Sequence, residues 1–214
     1  MDADRAAVAE LLAALTYGER LARERAGETV AFAPDPAAEK EQQHVADTEA
    51  ERLALLEARL EEMDGAGLQE RFAPFFNAFF EATVPTDWIE SQTFHYVGDA
   101  LVSDLAEAVL PSLDTVTAEV VRRALGERDE QDAFALDQVT AALSEDPGAT
   151  ERIAAYARRV VGEALTQTRR ALDASEAVSS LLGDPEEQKR ILLDLLDRHR
   201  RRLDRLGIEP VEPD

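Results

Sequence analysis

Apolar residues recur every three or four positions along most of this chain, which is the spacing of one face of an α-helix. The pattern predicts long helices over residues 4–25, 37–63, 86–111, 116–143 and 150–172, and shorter ones over residues 71–83, 176–182 and 185–206. No segment alternates apolar and polar residues as a half-buried strand would, and no hairpin signal occurs. We therefore expect an all-α fold.

Long helices joined by short connections pack as bundles, so we expect a bundle of long antiparallel helices with additional helices packed outside it. The 214 residues contain no segment that looks like a linker. This favours a single domain over residues 1–209, followed by a disordered tail over residues 210–214. The phenylalanine-rich segment of residues 71–83 is expected to plug one end of the bundle or to cover a flank.

Polar side chains interrupt the apolar face of each long helix. Glu90, for example, lies in line with Phe94 and Val97 at helical spacing. A buried carboxylate without a partner is so costly that it is normally protonated, ion-paired or bound to a metal. Each interruption taken alone is better explained as a solvated helix edge, but the set predicts a polar centre inside the bundle. Its members are Glu19, Glu49 with Arg52, Glu90, Arg128 with Gln131, and Glu163.

Helical bundles build carboxylate-bridged two-metal centres from inward-facing glutamates. Oxygen ligands with one imidazole per metal suit iron or manganese. The chain has no cysteine, which excludes thiolate catalysis, iron–sulfur clusters and cysteine-bound zinc. It has only 3 histidines, His44, His95 and His199, and this scarcity argues against a site that needs several imidazoles.

The formal net charge of −22 repels phosphate backbones, so a nucleic-acid partner would need a local basic patch. The best candidate is the arginine-rich segment of residues 198–205. We favour a different interpretation, in which these cations lie in the last turns of a helix and suit its dipole. Nucleic acid is therefore not an expected partner on the grounds of charge.

No apolar run is long enough to cross a bilayer, so no membrane contact is expected. The N-terminal segment carries acidic residues where a signal peptide would carry positive charge. The sequence therefore predicts a cytoplasmic protein.

Several strings of residues resemble one known family. These are YGE at residues 17–19, DWIE at 87–90, YVGD at 96–99 and GEALTQ at 162–167. Together they are similar to actinobacterial ferritin-like proteins that resemble the tRNA 2-methylthio-isopentenyl-adenosine hydroxylases. The resemblance implies a ferritin-like antiparallel bundle with a non-haem di-iron centre that activates dioxygen and hydroxylates a substrate such as a modified tRNA base.

The resemblance also implies metal ligands. Glu19 matches the ligand of the first helix, Glu49 matches the glutamate of the second helix's Glu-x-x-His motif, and Glu90 matches the carboxylate of the third helix. Glu163 matches the glutamate of the GEALTQ string, to which the resemblance gives no firm role.

Two positions depart from the family pattern. Arg52 occupies the histidine position of the Glu-x-x-His motif that begins at Glu49, and the second such motif falls on residues 128–131, with Arg128 and Gln131 at its ends. Arginine is always protonated and offers no lone pair to a metal. We therefore expect Arg52 and Arg128 to replace metal charge and to pair with the glutamates. Four glutamates face only two arginines, so either one or more glutamates stays protonated, or a single divalent cation still binds, or some of these groups reach solvent.

Two histidines offer alternatives. Glu41 and His44 form a literal Glu-x-x-His, but near the start of the second helix, so we expect an exposed pair. His95 follows Glu90 by five residues and points away from it on a straight helix. We expect His95 to be partly buried against a neighbouring helix, without a site role.

These observations favour a degenerate, non-catalytic binding or structural protein, with no cofactor. The alternative is an active di-iron or dimanganese oxygenase, with Glu19, Glu49, Glu90 and Glu163 as metal ligands. The aromatic segment of residues 72–80 makes a homodimer a plausible partner arrangement.

Overall fold

The computed structural model describes residues 5–126 and 128–208, and within these ranges it contains helices and no strand. The prediction of an all-α fold is confirmed. The expected tail of residues 210–214 lies outside the described residues. The helices are α1 (Arg5–Thr29), α2 (Pro36–Glu62), α3 (Ala73–Ala82), α4 (Trp88–Phe94), α5 (Ala100–Val109), α6 (Thr115–Leu125), α7 (Asp129–Glu145), α8 (Thr150–Ala174), α9 (Glu176–Leu181) and α10 (Pro185–Arg205).

Aspartate side chains fix where several of these helices begin. Asp35 accepts hydrogen bonds from the amides of the first turn of α2, and Asp87 does the same for α4. Asp184 forms a reciprocal capping box with Glu187 at the start of α10. Such caps satisfy amides that have no partner within the helix, and each contributes about 1 kcal/mol.

The contacts between helices show their directions. Arg5, at the start of α1, donates to the Glu62 carbonyl at the end of α2, so these two helices are antiparallel. Between α2 and the α6–α7 pair, Arg59 contacts Thr117 and Arg52 contacts Gln131. The residue number rises on one side as it falls on the other, so α6–α7 is antiparallel to α2 as well.

The α4–α5 segment completes the central bundle. Trp88 donates to Gln138 and Asp99 accepts from Arg128, so α4–α5 is antiparallel to α6–α7. It follows that α2 and α4–α5 run in the same direction. The chain achieves this through one long crossover over residues 63–87, which includes the short aromatic helix α3.

The helices outside the central bundle are held by buried polar contacts. Arg25 of α1 donates to the carbonyls of Phe80 and Thr83, which lie at the C-terminal end of α3. On the far side, Arg198 and Arg202 of α10 donate to the buried Asp104 of α5. The basic segment of residues 198–205 forms the last turns of α10, where the helix interpretation put it, and two of its arginines are engaged by Asp104.

The phenylalanines of α3 and the turn before it pack inside the chain. Phe72, Phe79 and Phe80 are buried, and Phe75 and Phe76 are half-buried against α1 and α8. The segment therefore covers a flank of the bundle, which was one of the two expectations. Because these rings pack within the chain, the segment is not an exposed apolar surface, and the homodimer stays a prediction.

One predicted helix is wrong. The expected helix over residues 116–143 is divided, since α6 ends at Leu125 and α7 begins at Asp129. The amide of Gly126 closes α6 on the Arg122 carbonyl, and Arg128 then takes a non-helical conformation at the start of α7. The apolar period continues in phase across the break, so the pattern alone did not reveal it.

No helix in the described part of the chain is long and apolar enough to span a membrane.

The packing of Phe94 gives a test of this core. Its ring is 1% exposed and lies 5.7 Å from the rings of both Phe79 and Phe80, centroid to centroid. We expect Phe94→Ala to lower the free energy of unfolding by about 3–5 kcal/mol, because the cavity cannot fully collapse. The matched control is Phe32→Ala, at a position 38% exposed, which should cost well under half as much in urea denaturation.

Candidate functional site

Two arginines meet one glutamate in the middle of the bundle. Oε1 of Glu49 accepts hydrogen bonds from Arg52 Nη1 at 3.1 Å and from Arg128 Nη2 at 3.0 Å. All three residues are almost completely buried: Glu49 is 1% exposed, Arg52 5% and Arg128 6%. Arg52 Nη1 also donates to Gln131 Oε1 at 2.6 Å. The structure thus brings together Glu49, Arg52, Arg128 and Gln131, as the sequence predicted.

A second buried carboxylate belongs to the same centre. Arg128 Nη2 contacts Asp99 Oδ2 at 2.8 Å, and the same oxygen lies 2.9 Å from Nδ1 of His95. Asp99 and His95 come from the segment between α4 and α5, whereas Glu49 comes from α2. Arg128 is therefore the bridge between carboxylates on two different helical segments.

The imidazole of His95 links Asp99 to a second set of buried polar side chains. A carboxylate oxygen only accepts, so Nδ1 of His95 donates to Asp99 Oδ2. The other ring nitrogen, Nε2, lies 3.1 Å from the amide nitrogen of Gln42, and Gln42 Oε1 accepts from Gln92 Nε2 at 2.8 Å. The buried network is thus continuous from Arg128 to Gln92.

Glu19 of α1 is 5% exposed and adjoins this network. Burial raises the pKa of Glu19 well above its ordinary value of 4.5, and the hydrogen bond and negative charge of Glu49 raise it further. Burial opposes the charge of Glu49 as well, but the guanidinium of Arg128, the Glu19 hydrogen bond and Arg52 outweigh this and lower the pKa of Glu49. A protonated Glu19 therefore donates to an ionised Glu49.

Protonation of Glu19 reduces the negative charge beside Arg52 and Arg128. The sequence predicted an excess of glutamates over arginines at one centre. The structure reduces this excess, because Glu19 is neutral and because Glu90 and Glu163 lie elsewhere. Asp99 joins Glu49 as a second carboxylate paired with Arg128.

Some polar atoms of the centre have no hydrogen-bond partner among the described residues. They are Glu19 Oε1, Glu49 Oε2, Arg128 Nε and Gln131 Nε2. Protonation of Glu19 supplies a donor for Glu49 Oε2. The other three atoms, Glu19 Oε1, Arg128 Nε and Gln131 Nε2, are also buried.

Local irregularities of the backbone place the key side chains. His95–Asp99 forms a π-helical turn between α4 and α5, and a single π turn changes the phase of the residues that follow it. Gly98 within this turn leaves room for α8, since an added Cβ would lie 3.2 Å from Val160 Cγ1. On the other side of the centre, Arg128 lies just before α7 in a non-helical conformation. Its side chain turns inward and reaches Glu49.

The structure places Glu90 outside the centre. Its Oε2 accepts from the amide and hydroxyl of Thr86, and its Oε1 pairs with Arg152 Nη1 at 3.0 Å. Glu90 precedes Asp99 by nine residues, or about 13 Å along a helix axis. The expectation that Glu90 shares a polar centre with Glu19 and Glu49 is therefore wrong, because a charged partner from α8 satisfies its carboxylate locally.

Glu163 also lies apart from the network. It is half-buried on α8, and Oε2 accepts from Gln167 Nε2 at 3.4 Å. Glu41 and His44, the alternative Glu-x-x-His pair, are both exposed at the start of α2, as expected.

The sequence analysis missed part of the centre. His95 is 6% exposed and takes part in the network, contrary to the expectation that it lacks a site role. Asp99 and Gln42 were not singled out at all. A signal for Asp99 was present in the YVGD string, where an aspartate one turn after His95 interrupts a strongly apolar segment.

A cavity of about 140 Å³ adjoins the centre, between α1, α3, α5 and α8. Leucine, valine and phenylalanine side chains line most of it. Glu19, Asp99 and Arg128 form part of its wall at the end that meets the network.

The donor set of the centre does not fit the di-metal site that the family resemblance implies. A metal requires several oxygen or imidazole lone pairs that converge on one point. Within residues 5–126 and 128–208, no group of three or more histidine, aspartate and glutamate side chains is so placed. The oxygens that point inward, Glu49 Oε1 and Asp99 Oδ2, accept from guanidinium or imidazole donors instead.

An antiparallel arrangement with one long crossover, and a polar centre between the four central helical segments, defines a ferritin-like bundle. The comparison with protein families agrees. The model described as "Ferritin-like domain, actinomycetes" matches residues 2–185, so the chain belongs to this ferritin-like family. The comparison with curated proteins finds no match for the chain.

Because Glu49 is ionised and Glu19 is protonated, replacement by glutamine should affect stability differently at the two positions. Glu49→Gln leaves Arg52 and Arg128 with too little negative charge, so we expect a loss of about 3–5 kcal/mol of unfolding free energy at pH 7. Glu19→Gln replaces a neutral group by a neutral group, so it should be tolerated. Chemical denaturation of both variants checks this, and equal losses in the two would contradict the assignment.

The pH dependence of stability follows from the directions in which the pKa values of Glu19 and Glu49 are shifted. A raised pKa means that the native state holds the Glu19 proton more tightly, so this group lowers stability as pH rises above 4.5. We expect Glu19→Gln to gain stability relative to the wild type from pH 5 to pH 8. The lowered pKa of Glu49 contributes stability above pH 4.5 that is lost on acidification, so the defect of Glu49→Gln should shrink below that pH.

Arginine substitutions offer an independent test of burial. Arg128→Met strands two carboxylates in the core and should cost about 3–5 kcal/mol. Arg152 is the matched control because it also bridges two carboxylates, Asp87 and Glu90, but its side chain is 43% exposed. We expect Arg152→Met to cost about 1 kcal/mol or less in the same urea titration. Similar losses of unfolding free energy at the two positions would show that burial does not make the ion pairs of Arg128 more important for stability than those of Arg152.

Proposed function

We propose that this chain is a metal-independent ferritin-like protein, in which a buried network of charges takes the place of a di-metal centre. In this proposal Arg52 and Arg128 supply the positive charge that metal ions supply in the enzymes it resembles. The protein acts by binding or as a structural component, and it does not catalyse an oxygenase reaction.

The observation that carries the proposal is the pairing of two guanidinium groups with one oxygen of Glu49. A metal ion and a guanidinium cannot both take that oxygen's inward lone pairs, and two nearby cations would repel an added divalent ion. The contacts of Asp99 support the same conclusion. Its Oδ2 already accepts from Arg128 Nη2 and His95 Nδ1, so this oxygen too is engaged by donors.

Iron content gives the direct test. Protein expressed with iron supplied should contain far less than one iron or manganese per chain by elemental analysis, and Glu49→Ala should not change that value. Near-stoichiometric metal that falls in Glu49→Ala would overturn the proposal. It would favour the alternative, an oxygenase with an unusual ligand set that acts on a modified tRNA base or another substrate.

A paired variant makes this test sharper. Arg52→His restores the Glu-x-x-His motif that begins at Glu49, whereas Arg52→Gln removes the same charge without adding a ligand. If the arginine excludes metal, Arg52→His should take up more iron than either the wild type or Arg52→Gln. Equal uptake by all three folded proteins would show that Arg52 has no part in metal exclusion.

A further inference from the structure

We propose that the exposed face of α10 binds a second copy of this chain, with the two α10 helices packed antiparallel about a two-fold axis beside Leu193. The inference goes beyond the proposed function and does not depend on it, because the residues that carry it take no part in the charge network. It is carried by a cluster of exposed leucines and by a self-complementary pattern of charges around them.

Three leucines of α10 are exposed close together. Leu192 is 43% exposed, Leu193 56% and Leu196 39%, whereas the opposite side of the helix is buried and packs against α5. Among the described residues, the other large hydrophobic side chains with similar exposure belong to three different segments of the chain: Phe32, Val84 and Val116. Such single residues are normal on a protein surface, but a group of exposed leucines marks an interaction surface.

Charged residues flank the leucines symmetrically about Leu193. Lys189 precedes Leu193 by four positions, and Asp197 follows it by four. Glu186 precedes Leu193 by seven positions, and Arg200 follows it by seven. These spacings place all four residues on the same face of the helix as Leu193, and all four are exposed. Residues at equal distances on the two sides of Leu193 therefore carry opposite charges.

This pattern is complementary to itself when the second helix runs in the opposite direction. In an antiparallel pair centred on Leu193, the residue that precedes it by some number of positions lies opposite the residue that follows it by that number in the other copy. Glu186 then lies opposite Arg200 of the second copy, and Lys189 lies opposite Asp197. A parallel pair would place each charge beside an identical one, which is repulsive, so the antiparallel arrangement is favoured.

Most of these charges have no partner within the chain itself. In the part of the chain that the structure describes, no ion pair involves Glu186, Lys189 or Arg200, and Asp197 contacts Arg201 of the same helix. A partner with a single sign of charge, such as an anionic membrane or a nucleic acid, would be repelled by Glu186 and Asp197. A second α10 offers both signs of charge at the required positions, which identifies another copy of the chain as the partner.

The local charge of α10 permits two copies of an acidic protein to meet. The net charge of the whole chain is −22, so two copies repel each other at a distance. α10 itself contains 7 basic and 5 acidic residues, which gives it a net charge of +2. Contact through α10 therefore does not bring two acidic surfaces together.

Sedimentation equilibrium of the full chain over a dilution series tests the dimer. With rising concentration, the wild-type mass should approach twice the 23.5 kDa of one chain. Leu193→Glu places two like charges at the axis and should weaken dimerisation about tenfold or more. The matched control is Val116→Glu on α6, because Val116 is 57% exposed and Leu193 is 56% exposed. It should leave the dimer unchanged.

Two outcomes of this measurement would overturn the proposal. One is a mass of a single chain at every concentration of the wild type, whether another part of the chain or a different partner covers the leucines. The other is a dimer that Leu193→Glu and Val116→Glu affect equally, since the interface would then not include Leu193.

A charge exchange tests the antiparallel arrangement. Arg200→Glu sets a glutamate opposite Glu186, and Glu186→Arg sets an arginine opposite Arg200. Each mismatch occurs twice in a two-fold dimer, so each variant should weaken dimerisation about tenfold or more. The double variant Glu186→Arg/Arg200→Glu restores opposite charges and should recover the dimer. Circular dichroism confirms that all three variants fold, and a double variant that dimerises no better than the single ones would overturn the arrangement.

Discussion

The presence of two guanidinium groups inside the bundle is the constraint on which the rest of the structure depends. A buried cation requires an anion at hydrogen-bonding distance, and here the anions come from α2 and from the turn between α4 and α5. Arg128 contacts both, so it links helical segments that are far apart in sequence. The break before α7 and the π-helical turn at His95–Asp99 both serve this arrangement, because each brings a side chain to the centre that a regular helix would direct elsewhere.

Much of the fold could be predicted from the sequence, because long amphipathic helices have a clear period and aspartates mark several helix starts. The cluster of Glu49, Arg52, Arg128 and Gln131 was predictable for the same reason. The role of Asp99 was not, since residues 90–101 are buried on every side and a helix with no exposed face has no period to interpret. Glu90 was misplaced because sequence spacing cannot show that Arg152, sixty-two positions later, satisfies it.

The centre and the cavity together form one continuous interior feature with two kinds of surface. The network consists of hydrogen bonds and ion pairs among Glu49, Arg52, Asp99 and Arg128, whereas the cavity is apolar except where it meets Glu19, Asp99 and Arg128. In the described residues, guanidinium groups hold the inward carboxylates of this bundle in place.

The crossover between α2 and α4 has a consequence for how the protein folds. Because α2 and α4–α5 run in the same direction, the contact of residue 49 with residue 128 lies outside the hairpin that joins residues 99 and 128. Closing such long loops costs entropy before any contact is made, so a bundle of this kind folds more slowly than one built from consecutive hairpins. The charge network can then form only late in folding. Its interactions will act mainly as a barrier to unfolding, and so as a determinant of how long each native molecule persists.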